Sequence, residues 1–251
     1  MKKGLLLLCV LLTGCSQHAA RFPDYSSFLN GYKSGPASIT EMYGNYRAEQ
    51  TGKKISARFN LLLQPGKRAY MEILDPSDRL MNVLSLSEGT ISLLWSADNK
   101  YITEKASPQN LKAILGLPVA PDDALQLISG LGLNFSEWQQ EKPLKDGWIL
   151  TRETYRAKIT AGNNISRIEI STNAGTFVAR YDKYELMNER SRPARIRLEL
   201  PGSRTHFELN IDRFVPRTEE PTDDLFAVQL PRDAHQFQLS EIYKGKPLIL
   251  Q

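Results

Sequence analysis

An alternation of apolar and polar residues with period two begins near Met42 and returns, segment after segment, through most of this chain. It is clearest from Lys54 to Leu63. Ile55, Ala57, Phe59, Leu61 and Leu63 fall on one side, with Lys54, Ser56, Arg58 and Asn60 on the other. Successive side chains of a strand leave opposite faces, so this pattern makes a half-buried strand and leaves a helix with no apolar stripe. Similar segments run from Arg68 to Leu74, Leu80 to Ser87, Thr90 to Ser96 and Lys100 to Glu104. More follow from Gly147 to Arg152, Tyr155 to Thr160, Ile165 to Ser171, Thr176 to Leu186, Ala194 to Leu200 and Thr205 to Phe214. Turn chemistry separates them: Gln64-Pro65-Gly66-Lys67, Asp75-Pro76-Ser77-Asp78, Glu88-Gly89, Asp98-Asn99, Gly162-Asn163-Asn164, Asn173-Ala174-Gly175 and Pro201-Gly202-Ser203. The short spacing predicts an antiparallel meander of about eleven strands.

The middle of the chain changes period. Ser107-Pro108 reads as an N-cap followed by proline at the first helical position, and Leu111, Ile114 and Leu115 recur at helical spacing. Pro121-Asp122-Asp123 opens a second helix with acids where the helix dipole favours them. Leu125, Leu127, Ile128 and Leu131 continue it, and Gly130 and Gly132 end it. Short leucine-rich helices must cover something apolar, most simply the concave face of the sheet. The expected fold is therefore mainly β (α+β): a strongly curved antiparallel sheet, or unclosed β-barrel, with a helical lid inserted midway. The segment from Pro216 onward is more irregular. It still carries Leu225, Phe226, Val228 and Leu230, so it is expected to pack on the body.

The N-terminus gives an address. Lys2-Lys3 precedes the apolar run Leu5 to Leu12, which is far shorter than the ~18 residues a membrane-spanning helix needs. It reads as the core of a signal peptide. Leu12-Thr13-Gly14-Cys15 resembles the lipobox of bacterial lipoproteins, which implies cleavage after residue 14 and acylation (palmitate or its like) of Cys15. Two or more acyl chains anchor a protein stably. Ser16, where inner-membrane lipoproteins often carry Asp, implies an outer-membrane destination facing the periplasm. The expected organisation is a signal peptide over 1–14, a lipidated tether over 15–37, the curved-sheet domain over 38–215, and a C-terminal extension over 216–251.

Signs of catalysis are sparse. The chain lacks the G-x-S-x-G, H-E-x-x-H, Walker A, G-x-G-x-x-G and C-x-x-C patterns. Cys9 and Cys15 are the only cysteines, which leaves the body without a disulfide or a cysteine-based metal site. His206 lies in an alternating strand and His235 in the irregular tail. The pair Asp122-Asp123 complements a helix dipole, and Asp223-Asp224 reads as a solvated turn. The expectation is no enzyme, no cofactor and no metal. Lys and Arg number 32 against 28 acids, an excess too mild for a nucleic-acid partner. Arg190, Arg192, Arg195 and Arg197 cluster around Pro193 and read chiefly as a solvated outer face, with contact to anionic head groups or an acidic partner as the other reading.

What remains is the inward face. Strand parity places Phe59, Leu61, Met71, Ile73, Leu84, Leu86, Leu93, Trp95, Trp148, Leu150, Ile168, Ile170, Phe177, Tyr181, Ile196 and Leu198 on one side. A concave apolar surface can shield acyl chains from water, at ~25 cal/mol per Å² removed. It can equally be a core filled by the two helices. Periodicity alone leaves both open.

Several segments resemble one family. Ala57-Arg58-Phe59 leads through Arg68-Ala69-Tyr70 to the Asp75-Pro76 turn. Leu115-Gly116-Leu117-Pro118-Val119 is followed by Ile128-Ser129-Gly130-Leu131-Gly132. Tyr181-Asp182-Lys183-Tyr184, Arg192-Pro193-Ala194, Leu198-Glu199-Leu200 and Asp212-Arg213-Phe214 follow. Over about Ser38 to Val215, their order and spacing are similar to the LolB-like members of the LolA/LolB lipoprotein-carrier family, and the Gly-Leu-Pro segment is the most specific element. The resemblance implies an unclosed barrel with a helical lid and an apolar cavity for lipoprotein acyl chains. It also implies a periplasmic LolA-like carrier as partner and transfer without catalysis. Two features depart from it. The family carries an exposed leucine after the proline of the Asp75-Pro76 loop, where this chain has Ser77. Leu80 or Met81 would then have to supply the membrane contact. The chain also continues beyond the matched region from Pro216. These departures keep two other readings open: a binder of phospholipid or another apolar ligand, and a structural or regulatory envelope lipoprotein acting through protein contacts.

Overall fold

The alternating segments pair with their neighbours in chain order. A computed structural model describes residues 39–50, 53–130, 135–160, 162–173, 175–187, 190–199, 206–217, 222–245 and 247–250. The signal peptide, Cys15, the tether, Leu131 with Gly132, and the Pro201-Gly202-Ser203 turn lie outside the described residues. A first antiparallel meander comprises β1 (Ile39–Gln50), β2 (Lys53–Gln64), β3 (Arg68–Leu74), β4 (Leu80–Ser87), β5 (Thr90–Trp95) and β6 (Lys100–Lys105). A second comprises β7 (Gln139–Leu144), β8 (Gly147–Arg152), β9 (Tyr155–Thr160), β10 (Ile165–Thr172), β11 (Gly175–Met187), β12 (Arg190–Glu199) and β13 (His206–Arg217). Pairing of β1 with β13 fuses the two. The two-residue β14 (His235–Gln236) adds in parallel to β6. The result is one sheet of 14 strands, from β14 at one edge to β7 at the other, and those two edges do not meet. It is the expected unclosed, antiparallel-dominated sheet.

Three strands have little sequence signal. β1 turns Met42, Gly44, Tyr46 and Ala48 inward, and two of these are too small to mark an apolar face. β7, Gln-Gln-Glu-Lys-Pro-Leu, is an edge strand with a bulge between Gln140 and Lys142 and a proline at 143. Charge, bulge and proline are what keep an open edge from pairing with other chains. β14 is held chiefly by backbone bonds: His235 N donates to Asn99 O at 2.7 Å and Phe237 N to Tyr101 O at 2.9 Å, with Tyr101 Oη donating to Gln236 Oε1 at 3.3 Å.

Two helices follow β6. α1 (Pro108–Leu115) starts as expected, with Ser107 Oγ accepting from Asn110 N at 3.2 Å and Pro108 in the first turn. It buries Leu111, Ala113, Ile114 and Leu115. α2 (Pro121–Ser129) buries Ala124, Leu125 and Leu127 and stops at Gly130, whose φ of 62° is left-handed. A Cβ at Gly130 would lie 2.5 Å from Pro193 Cγ, so the helix end and β12 approach as only glycine permits. Tyr181 Oη donates to Leu127 O at 3.1 Å and ties the same helix end to β11. The inward faces of both meanders and both helices form one continuous apolar core. Each large side chain buried there contributes about 1.5–3 kcal/mol.

The C-terminal segment crosses from one face of the sheet to the other. Its 3₁₀ turn Asp223–Phe226 lies on the outer face of β3 and β4, where Ser85 Oγ donates to Phe226 O at 2.6 Å. Arg68 pairs with Asp223 at 2.6 Å and stacks on the Phe226 ring at 4.6 Å. The chain then passes the β6 edge as β14, forms α3 (Leu239–Ile242), and ends in the 3₁₀ turn Leu248–Leu250 against α1.

Candidate functional site

Curvature and the helices enclose a small apolar cavity of about 50 Å³ on the concave side. Tyr46, Leu209 and Phe207 supply one wall from β1 and β13, and Met71 and Leu84 another from β3 and β4. Leu198 closes the β12 side, Leu115, Leu117 and Ile128 come from the helices and their linker, and Ile249 from the C-terminal turn. The volume is about a third of the ~150 Å³ that admits a benzene-sized guest. In this conformation packing leaves the hollow too small for an acyl chain.

One buried polar group lies behind the carbon lining. The Tyr46 ring is tilted against Phe207, with centroids 6.4 Å apart. Its hydroxyl is buried and has no hydrogen-bond partner among the described residues. Burial pushes its pKa far above the usual phenol range, so it stays a neutral donor at any physiological pH. An unsatisfied buried hydroxyl costs about 1–3 kcal/mol, which a ligand carrying an acceptor would recover.

Of the inward residues expected from parity, Met71, Leu84 and Leu198 border this cavity. Phe59, Leu61, Ile73, Leu86, Leu93, Trp148, Leu150, Ile168, Ile170, Phe177, Tyr181 and Ile196 are buried in the core around it. Trp95 is half-buried and lines a separate cleft of about 190 Å³ with Phe237, Ile242 and Leu248. Sequence reasoning missed Tyr46, Phe207 and Leu209, although β13 alternates through Phe207, Leu209 and Ile211. It had no means of finding Ile249, which follows no periodic segment.

The β3–β4 loop is polar at its tip. Asp75 accepts from Ser77 N at 2.7 Å, from Arg79 N at 3.0 Å and from Arg79 Nε at 2.8 Å. The Arg79 backbone bond is the largest influence on its carboxyl, which these contacts hold below the usual range. Asp78 pairs with Arg58. Ser77 is exposed, and behind it Leu80 and Met81 are 39% and 37% exposed.

Elsewhere several arginines are matched with carboxylates. Arg195 forks onto Asp182 and Arg197 onto Glu208, with Nη2 contacts of 2.7 and 2.6 Å. Arg192 is buried over the Phe214 ring at 5.2 Å. Arg192, Arg195 and Arg197 are therefore engaged within the protein. Asp123 does more than complement the helix dipole: it accepts from Tyr155 Oη and lies 3.7 Å from Arg152, tying α2 to the β8–β9 hairpin. Asp223 is the partner of Arg68 described above. Among the described residues, no group of three or more His, Cys, Asp or Glu is placed to hold a metal ion. None of the described helices is long and apolar enough to cross a membrane.

A curved, unclosed sheet with short helices over its concave face is shared with several solved structures. One such protein, from Nitrosomonas europaea, superposes with a TM-score of 0.55 at 16% identity over 81% of this chain and 97% of its own. A domain from Vibrio parahaemolyticus named as an outer membrane lipoprotein-sorting protein gives 0.54 at 11% identity, over 79% and 94%. A DUF1329 family protein from Desulfovibrio piger gives 0.57 at 10% identity, over 80% and 97%. At these identities the likeness is one of fold. No family model and no curated protein matches the chain.

Proposed function

We propose that this protein is an envelope lipoprotein of the LolB kind. It binds acyl chains between the concave sheet and the helical lid, and it receives lipoproteins from a periplasmic LolA-like carrier. Lipid on Cys15 holds it at the outer membrane, with residues 15–37 as tether and 38–215 as the binding domain. The observation that carries this reading is the carbon-lined cavity under α1 and α2, in a fold shared with a LolA superfamily protein and a lipoprotein-sorting domain. The test mixes the chain from Ser16 to Gln251 with a carrier preloaded with lipidated protein. Cargo is expected to move to this chain. Cargo that stays on the carrier overturns the transfer role.

A second reading has its own observation. Ser77 and the paired Asp78 give the β3–β4 tip a polar, charged surface that would enter lipid poorly. Under this reading the ligand is a phospholipid or another apolar molecule, held without delivery of a protein. Mass spectrometry of ligand extracted from natively purified protein separates the two. Lipopeptide supports the first, and phospholipid alone supports the second.

A further inference from the structure

The last turn of the chain is the common wall of two cavities. Leu248 lines the outer cleft of about 190 Å³ with Trp95, Phe237 and Ile242, and Asp98 and Lys100 stand at its rim. Ile249, the next residue, lines the inner cavity of about 50 Å³ that holds Tyr46. Both side chains are nearly fully buried, at 1% and 7% exposure. We propose that the Leu248–Leu250 turn is a built-in stand-in for ligand, occupying the entrance of a site for long-chain acyl esters whose one polar anchor is the Tyr46 hydroxyl.

This deepens the acyl-binding reading and rests on it. The inner cavity alone is too small for an acyl chain. Withdrawing the turn would join it to the outer cleft and add the space of the two side chains. Among the described residues, the hydrogen bonds that fasten the tail to the sheet run from Asp223 and Phe226 to His235, Phe237 and Leu239, the last to Glu104 Oε1 at 3.2 Å, all ahead of the turn. Among the described residues, the turn itself is held by burial of carbon at Leu248 and Ile249, which a hydrocarbon chain can replace like for like. Gly245, at φ 79° with nothing within 4 Å of a built Cβ, stands in open space between the fastened segment and the turn. Tyr46 sets the ligand's chemistry. A donor without a partner in a carbon-lined site fits a neutral acceptor, such as an ester carbonyl, on an otherwise apolar molecule.

The experiment titrates the chain from Ser16 to Gln251, which contains the complete sheet and its continuous core, with two fluorescent probes. cis-Parinaric acid methyl ester carries the carbonyl, and diphenylhexatriene is pure hydrocarbon. Ile249→Ala is expected to tighten ester binding about tenfold, because a larger share of molecules has the entrance open. Tyr46→Phe is expected to weaken ester binding about three- to tenfold and leave diphenylhexatriene unchanged. Hydrogen exchange on the unmutated protein guards against a misfolded variant: ester binding should speed exchange in the peptide spanning 247–250. If the ester binds but both variants match the parent and that exchange is unaltered, plug and anchor are both overturned while acyl binding stands. If neither probe binds the parent or Ile249→Ala, the acyl-binding reading falls, and this proposal with it.

Discussion

The two flanks of the sheet solve the problem of their outer faces differently. On β9 to β13 the outer face is solvated and laced with matched charges. Arg156 meets Glu141, Arg167 meets Glu169, Arg180 meets Glu199, Arg195 meets Asp182 and Arg197 meets Glu208. On β3 to β5 the C-terminal segment covers the outer face, so Val83, Ser85 and Leu94 are buried on the side opposite the core, with Phe226 among the covering residues. The strands record this. Arg195-Ile196-Arg197-Leu198-Glu199 alternates strictly, as a one-sided strand should. Val83-Leu84-Ser85-Leu86 is buried at every position, and Leu93-Leu94 is buried as a pair. Broken alternation marks a strand covered on both sides, and here the cover comes from the far end of the same chain. The two flanks should also respond differently to conditions, since salt screens exposed ion pairs and does not screen burial of carbon.

The sharpest way to break this comparison is to remove the cover's anchor. Phe226 is fully buried between the sheet and the tail. Phe226→Ala should cost about 3–5 kcal/mol, read as a fall in the urea midpoint. A loss below about 1 kcal/mol would mean the tail rests on the flank without stabilising it.

The charged flank should respond less, and unevenly. Glu208 is the buried member of its network, bonded by Asn210 at 2.8 Å and Arg197 at 2.6 Å. Arg197→Ala strips its main partner and should cost about 1–3 kcal/mol in the same measurement. Burial pushes the Glu208 carboxyl up, but the bonds from Asn210 and Arg197 and the nearby Arg195 outweigh it and hold the pKa below its ordinary 4.5. A depressed folded pKa contributes stability that is fully present above the unfolded value and lost as pH falls through the folded one. Glu208→Gln should therefore flatten the acid limb of the stability profile below about pH 4.5 and leave its neutral region parallel to the parent. An unchanged acid limb would place the acid sensitivity elsewhere.

Much of the fold could be read from the residues, because a half-buried antiparallel strand writes its own pattern. The helix starts at Ser107-Pro108 and Pro121 were equally legible, since caps and dipole complements act within a few residues. β1 was hidden because Gly44 and Ala48 occupy inward positions. β7 and β14 were hidden because an edge strand needs no apolar face. Parity found the apolar interior but could not say how much of it is filled, since that depends on α1, α2 and the tail meeting in space. Ile249 is the extreme case. It lines the cavity through a path that crosses the outer face, rounds the β6 edge and returns, and nothing local in Pro247-Leu248-Ile249-Leu250 specifies that route.

The smallest expected effect tests whether pairing or burial gives the charged flank its strength. Arg180 grips Glu199 with two contacts, at 2.6 and 3.3 Å, a better fork than Arg197 makes on Glu208. Geometry alone would rank it first. Yet both partners are more than a third exposed or close to it, at 40% and 35%, so water and ions compete for the same charges. Holding two long side chains in one arrangement also offsets part of the attraction. Arg180→Ala should therefore cost no more than about 1 kcal/mol at low ionic strength, and less still in 1 M salt. The urea midpoint measured at both ionic strengths checks this. A loss equal to that of Arg197→Ala, unchanged by salt, would show that fork geometry and not the burial of Glu208 decides, and the distinction between the paired and the covered flank would narrow to one of chemistry alone.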